Sequence, residues 1–256
     1  MRSLSKAFWT VAFGACVASS ANANVIQVEF GYPGSSYGQY QTGSGGEFTL
    51  SPVQGQLDVS GYSANALTQT RNIGGVNGSF QTFCIEESEY CYPNGVVDVS
   101  KSSSADHGGV LGSRDTLSQG TGWLYSQFAS GTLGGYNYTG DRHASASQLQ
   151  NAIWMLEGEI ATVDYGNPYV QLVTSASAFG SWSTAIADAQ PSDFGVWALN
   201  LTTDGSSRQD QLYYDGTKES LGTTPTTNVP DGGMTLAMLG FAVAGLARLR
   251  RRVRMA

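Results

Sequence analysis

An apolar run from Met234 to Ala247 lies between two polar signals. Val229-Pro230-Asp231-Gly232-Gly233 precedes it, and Arg248, Arg250, Arg251, Arg252 and Arg254 follow it. This arrangement dictates where everything upstream must fold. Guanidinium groups are costly to bring into hydrocarbon, so the Arg cluster holds its end of the run on the cytoplasmic side and leaves the preceding chain outside. As a helix the run is about 21 Å long, short of the roughly 30 Å hydrocarbon core. Snorkelling arginines cover part of that deficit, which makes a single-pass C-terminal transmembrane helix a marginal permanent anchor. A run that holds a protein briefly, with a short motif on its outer flank, is expected to serve as a sorting signal.

The N-terminal end agrees. Arg2 and Lys6 precede an apolar stretch from Ala7 to Ala18, and Ala21-Asn22-Ala23 supplies the small-x-small pattern of a signal peptidase site. Residues 1–23 are therefore expected to be a signal peptide, cleaved after Ala23, which also removes Cys16. Between the two signals the chain carries six Lys or Arg against nineteen Asp or Glu, a net charge near −13 where the whole sequence has −7. No basic patch remains to release counterions from phosphates, so nucleic-acid binding is excluded. An acidic surface suits an exported body that must not adhere to anionic polysaccharide or lipid headgroups.

Motif, apolar span and Arg cluster, in that order at the C-terminus, resemble the PEP-CTERM class of bacterial sorting signals, in particular its VPDSG variant. Gly232 stands where the variant's name has Ser. The resemblance covers residues 229–256. It implies an exosortase-type processing enzyme as partner, contact with the membrane, and delivery to the cell surface or an exopolysaccharide matrix.

Residues 24–220 form one body large enough for a proper core, and 221–228, rich in Thr, form a linker. Gly, Ser, Thr, Tyr and Val dominate, which predicts a mainly β fold, a β-sandwich or barrel. Strands are expected at Val25–Phe30, Phe48–Leu50, Gln56–Val59 and Gly78–Glu86. A closing antiparallel pair, Phe194–Leu201 with Gln211–Tyr214, is expected across Thr203-Asp204-Gly205. A small helical insertion is expected around 121–160. Within it Leu149, Ala152, Ile153, Leu156 and Ile160 make one apolar stripe, Ser145 or Ser147 is a candidate N-cap, and Gln150, Trp154 and Glu157 run along the stripe's edge.

Two patterns carry the chemistry of the body, Phe83-Cys84-Ile85-Glu86 and Leu149-Gln150-Asn151-Ala152-Ile153-Trp154. In this order they resemble the thioester domains of bacterial surface adhesins, although Leu149 replaces the Thr often found before the Gln. The resemblance implies that the Cys84 thiol condenses with the Gln150 amide, releasing ammonia. It also implies that the activated acyl group waits for an amine-bearing surface ligand, with His143 as a candidate base. Apolar cover from Phe83, Ile153 and Trp154 would keep water from such a bond.

Cysteine arithmetic offers a different pairing. Cys84 and Cys91 are the two cysteines left after signal removal, and an oxidising compartment favours joining them in a disulfide. One sulfur cannot serve both bonds, so both readings stand. With the disulfide, Gln150 is a helix-edge amide that hydrogen-bonds a neighbouring strand, in a structural matrix protein. A secreted cysteine hydrolase using Cys84 and His143 is the weakest option, since His107 sits in a Gly-rich turn and no further His exists. The acidic run Glu86-Glu87-Ser88-Glu89 lacks the rhythm of a calcium loop, and no metal or cofactor is expected. The expectation is a non-enzymatic, exported cell-envelope protein.

Overall fold

The computed structural model describes residues 26–31, 37–42, 45–53, 56–66, 78–91, 96–106 and 115–216. The expected signal peptide with Ala21 and Ala23, the linker, the motif Val229–Gly233, the transmembrane run and the Arg cluster all lie outside the described residues, as does His107.

The body is mainly β. Seven strands build one antiparallel sheet: β1 (Ile26–Phe30), β2 (Tyr40–Thr42), β3 (Gly45–Pro52), β4 (Phe80–Thr82), β5 (Val96–Ser102), β8 (Val196–Thr203) and β9 (Ser206–Tyr214). A separate two-stranded ribbon holds β6 (Ser104–Ala105) and β7 (Asp115–Thr116). The sheet order is β2-β3-β1-β5-β8-β9, and β4 also pairs with β3. The sheet is curled, because β4 leads straight into a segment that lies along β9. Leu212 N donates to Phe83 O at 3.1 Å, and Ile85 N to Asp210 O at 3.1 Å. Cys84 and Gln211 thus face each other across an antiparallel bridge.

The β8–β9 hairpin turns through Asp204 and Gly205, with φ of 51° and 75°. Two left-handed residues are what a two-residue hairpin needs to match the strand twist, and Asp-Gly supplies them cheaply. Gln56–Val59 is not a strand. Ser60 N donates to Asp58 Oδ1 at 2.9 Å and Tyr62 N to Val59 O at 3.1 Å, so local side-chain bonding turns the chain there.

Between β7 and β8 lie five helices: α1 (Gln119–Ala129), α2 (His143–Leu156), α3 (Pro168–Thr174), α4 (Trp182–Ala185) and α5 (Pro191–Phe194). Ser118 caps α1, accepting from Thr121 N at 3.1 Å. Helix α1 packs closely through its glycines. A Cβ on Gly120 would lie 2.7 Å from Leu156 of α2, and one on Gly122 would lie 2.7 Å from Phe194 of α5.

Helix α2 starts three residues earlier than Ser145, the nearer candidate cap, would place it, at an N-cap, Arg142, that makes no side-chain capping bond. Ser145 instead lies inside the helix and accepts from Asn137 N at 3.2 Å. The stripe Leu149, Ala152, Ile153 and Leu156 is buried as expected, while Ile160 falls beyond the helix end. Burial also includes Gln150 and Trp154, because β2 and β3 cover that side of the helix. All eight residues of β3 are buried.

An aromatic group, Tyr62, Phe80, Phe83, Tyr125, Phe128 and Tyr213, fills the core beneath this joint. The Tyr125 hydroxyl lies 2.9 Å from Gln81 O and 3.0 Å from Leu212 O, tying α1 to β4 and β9. Among the described residues no helix is long and apolar enough to cross a membrane.

Candidate functional site

Cys84 sits at the joint of the curled sheet. Its bridge to Gln211 is flanked by the two backbone bonds Leu212 N to Phe83 O and Ile85 N to Asp210 O. That makes the two residues a wide, non-hydrogen-bonded pair, in which side chains share a face and the main-chain N–H and C=O point away from the neighbouring strand. Left alone, these buried groups of Cys84 would be unpaired, which is expensive.

The Gln150 carboxamide satisfies both. Cys84 N donates to Gln150 Oε1 at 3.0 Å, and Gln150 Nε2 donates to Cys84 O at 2.8 Å. A glutamine on α2 therefore takes the place of a neighbouring strand at this one residue. The two positions are 66 apart in sequence, and both are essentially shut off from solvent, Cys84 at 0 % and Gln150 at 1 % exposed. Gln150 is thus a buried helix-edge amide bonded to the main chain of the extended segment that pairs with β9, as the structural reading of this residue expects.

Gly45 of β3 makes this seat possible. A Cβ there would collide with Gln150 Cγ and would lie 2.8 Å from Trp154 Cη2. Trp154, 4 % exposed, closes the same side, and Phe83 and Ile153 are fully buried.

At the sulfur itself stands a second amide. Gln211 Nε2 donates to Cys84 Sγ at 3.3 Å. Burial pushes the Cys84 thiol well above its ordinary range, with Cys91 and Glu86 adding to the rise and the Gln211 donor opposing it. Glu86 is itself buried, and Asp210 N donates to its Oε2 at 3.1 Å. Burial pushes both carboxyls upward, Glu86 with help from Asp210 and Glu89, and Asp210 with help from Glu89 and Asp106.

Cys91 is a free thiol, as is Cys84, so the two sulfurs are not joined in this structure. Burial lifts Cys91 to about 12. Cys91 lies near enough to help raise the Cys84 thiol. His143 does not serve Cys84. Its Nδ1 lies 2.6 Å from Asp141 Oδ1, and its ring stands edge-on to Tyr40 at 5.7 Å. The acidic run divides, with Glu86 buried, Glu87 exposed, and Glu87 N donating to Glu159 Oε2 at 3.1 Å. Among the described residues no group of three or more His, Cys, Asp or Glu side chains is arranged to hold a metal.

The structure brings together Cys84 and Gln150, which the sequence singled out, and adds Gly45 and Gln211, which it did not. Gly45 lies in a Gly- and Ser-rich stretch where one glycine looks like another. Gln211 lies in a polar strand, and nothing but strand register could have set it opposite Cys84.

The site thus holds a buried thiol with one amide at its sulfur, Gln211, and another on its main chain, Gln150. No curated protein and no solved structure matches the chain. Residues 228–253 match the family model described as the VPDSG-CTERM motif. The chain therefore ends in a PEP-CTERM-like exosortase sorting signal, which implies an exosortase partner, export, and a cell-surface or extracellular destination.

Proposed function

We propose that this is a non-enzymatic surface or matrix protein whose exported body forms an internal thioester between Cys84 and Gln150 and uses it to capture an amine-bearing ligand. The run Met234–Ala247 holds the chain in the membrane while the motif at 229–233 is processed. One observation carries the thioester reading: the Gln150 carboxamide is hydrogen-bonded to both main-chain groups of Cys84.

The bonding suits the chemistry. The Cys84 sulfur attacks Cδ of Gln150, and negative charge develops on Oε1. The Cys84 N–H already points at that oxygen from 3.0 Å, where it stabilises the tetrahedral intermediate. The C–N bond then breaks and the C–S bond remains. Nε2 leaves as ammonia, carrying the proton given up by the thiol. Burial excludes water from the product, so the acyl group persists until an amine reaches it. The amine then forms an amide with the Gln150 carbonyl, and the thiol is restored. Capture is covalent, so the lifetime of the complex no longer depends on weak contacts.

Methylamine tests this reading. The wild-type chain should take up one equivalent, ending about 14 Da heavier than the unreacted amide form, and Cys84→Ala should take up none. Equal labelling of the two chains would end the thioester reading. A second reading, a disulfide-stapled structural domain, is supported by the closeness of the Cys84 and Cys91 thiols and by the bonds of the Gln150 amide to the Cys84 main chain. It predicts a loss of about 2 Da that a reductant reverses.

A further inference from the structure

We propose that Gln211 is a second catalytic amide of this site, donating to the Cys84 sulfur so as to aim it and to stabilise the charge it carries as the acyl bond forms. The proposal rests on the thioester reading above and adds a residue which that reading does not require.

The register argues for it first. In a wide antiparallel pair the facing side chains emerge on one side of the sheet with their Cβ atoms about 4.5–5.5 Å apart. The Cys84–Gln211 bridge therefore fixes which side chain stands beside the sulfur, and Gln211 Nε2 reaches it at 3.3 Å. The joint that closes the sheet is held by Leu212 N to Phe83 O and Ile85 N to Asp210 O, on either side of that pair. Gln211 is fully buried, so its amide cannot swing into solvent.

The surroundings argue for it next. A sulfur that must lose a proton inside the protein needs a donor or a positive charge nearby. His143 is engaged with Asp141 and Tyr40, and the full positive charge of Arg142 is matched to Glu47. Cys91 and Glu86 both disfavour ionisation at Cys84. Gln211 acts in the opposite sense, through the hydrogen bond it donates to the sulfur.

Its own carbonyl oxygen, Oε1, is buried with no hydrogen-bond partner. An amide placed for packing alone would be better replaced by an apolar side chain of the same shape. Keeping a buried amide with one end unmatched is understandable where the other end serves the sulfur. The two glutamines then divide the work. Gln150 supplies the acyl carbon and the leaving nitrogen, and Gln211 supplies the hydrogen bond that the sulfur accepts until the C–S bond has formed.

The test follows bond formation in time. The full chain is made by cell-free synthesis with detergent micelles, and its intact mass is read at intervals between about pH 6 and pH 9. The wild type should lose about 17 Da, and Gln211→Met, which keeps the volume and removes the donor, should do so about tenfold more slowly or worse. Both rates should still be rising at the top of this range, because burial holds the thiol well above its ordinary value, and the variant should lag at every pH while keeping the wild-type melting temperature, a deficit that a merely structural role would not produce. Gln211→Leu, which also removes the donor and has a different shape, should be slow as well and guards against a folding defect in the first variant. A folded chain of either variant, with the melting temperature of the wild type, that forms the bond at the wild-type rate overturns the role of Gln211. A wild-type chain that never loses the mass overturns the thioester reading itself.

Discussion

Arg142 and Glu47 form an ion pair with neither side chain exposed, Nε to Oε1 at 2.7 Å, and it fastens the start of α2 to β3. Arg142 Nη1 also donates to Asn65 O at 2.8 Å. The Tyr136 hydroxyl donates to the same Glu47 oxygen, and the rings of Tyr40, Tyr136 and Tyr138 surround the guanidinium. This pair, rather than a serine cap, sets where α2 begins, and so how far along the helix Gln150 falls.

Removing one partner leaves the other buried and unmatched. Arg142→Met should lower the unfolding free energy by about 3–5 kcal/mol, measured by urea denaturation. The double variant Arg142→Met, Glu47→Gln should recover part of the loss. If the single variant is as stable as the wild type, the pair does not hold α2 in place.

Stability should fall as pH rises. Burial lifts Glu157 from 4.5 to about 7, and lifts Asp115 from 3.8 to about 6 with help from Glu159 and Asp188. Each group binds its proton more tightly folded than unfolded. Its contribution is therefore complete below the unfolded value and is lost as pH climbs through the folded one. Glu86 and Asp210 extend the decline above neutrality. Asp58 and Asp141, held low by local hydrogen bonds, are exposed and oppose this only weakly. Melting temperature should be highest near pH 4.5 and decline toward pH 8. A maximum above neutral pH would contradict this.

Gly45→Ala should unseat Gln150. The added methyl meets the Gln150 stem and the Trp154 ring, costing about 1–3 kcal/mol through overpacking. Thioester formation should drop by more than the stability loss explains, because the displaced amide no longer meets Cys84. Wild-type yield in a folded Gly45→Ala chain would show that Gly45 does not seat Gln150.

Gln150→Ala should lose capture and also destabilise. It removes the partners of Cys84 N and Cys84 O, both buried, at about 1–3 kcal/mol for each group left unpaired. Urea unfolding and methylamine labelling of the same preparation separate the two effects. A variant that keeps full labelling would exclude Gln150 as the acyl donor.

Much of this was legible in the sequence, for reasons that differ by element. The β8–β9 hairpin could be read from Asp204-Gly205, whose local chemistry selects its own turn. The apolar stripe of α2 followed from periodicity, since burial on one helix face leaves a 3.6-residue trace. The burial of Gln150 did not, because a second covering layer from β2 and β3 leaves no mark on the helix's own pattern. The start of α2 was misplaced because Arg142 is anchored by a residue 95 positions away. Gln211 meets Cys84 only through the closing of the curled sheet, a long-range pairing that no local window contains.

The most direct test is the intact mass of the purified full chain, followed by peptide mapping. The account predicts a deficit of about 17 Da, with the Cys84 and Gln150 peptides linked and the link released by methylamine. A chain of full mass with both thiols free, or one about 2 Da light with Cys84 joined to Cys91, would contradict it.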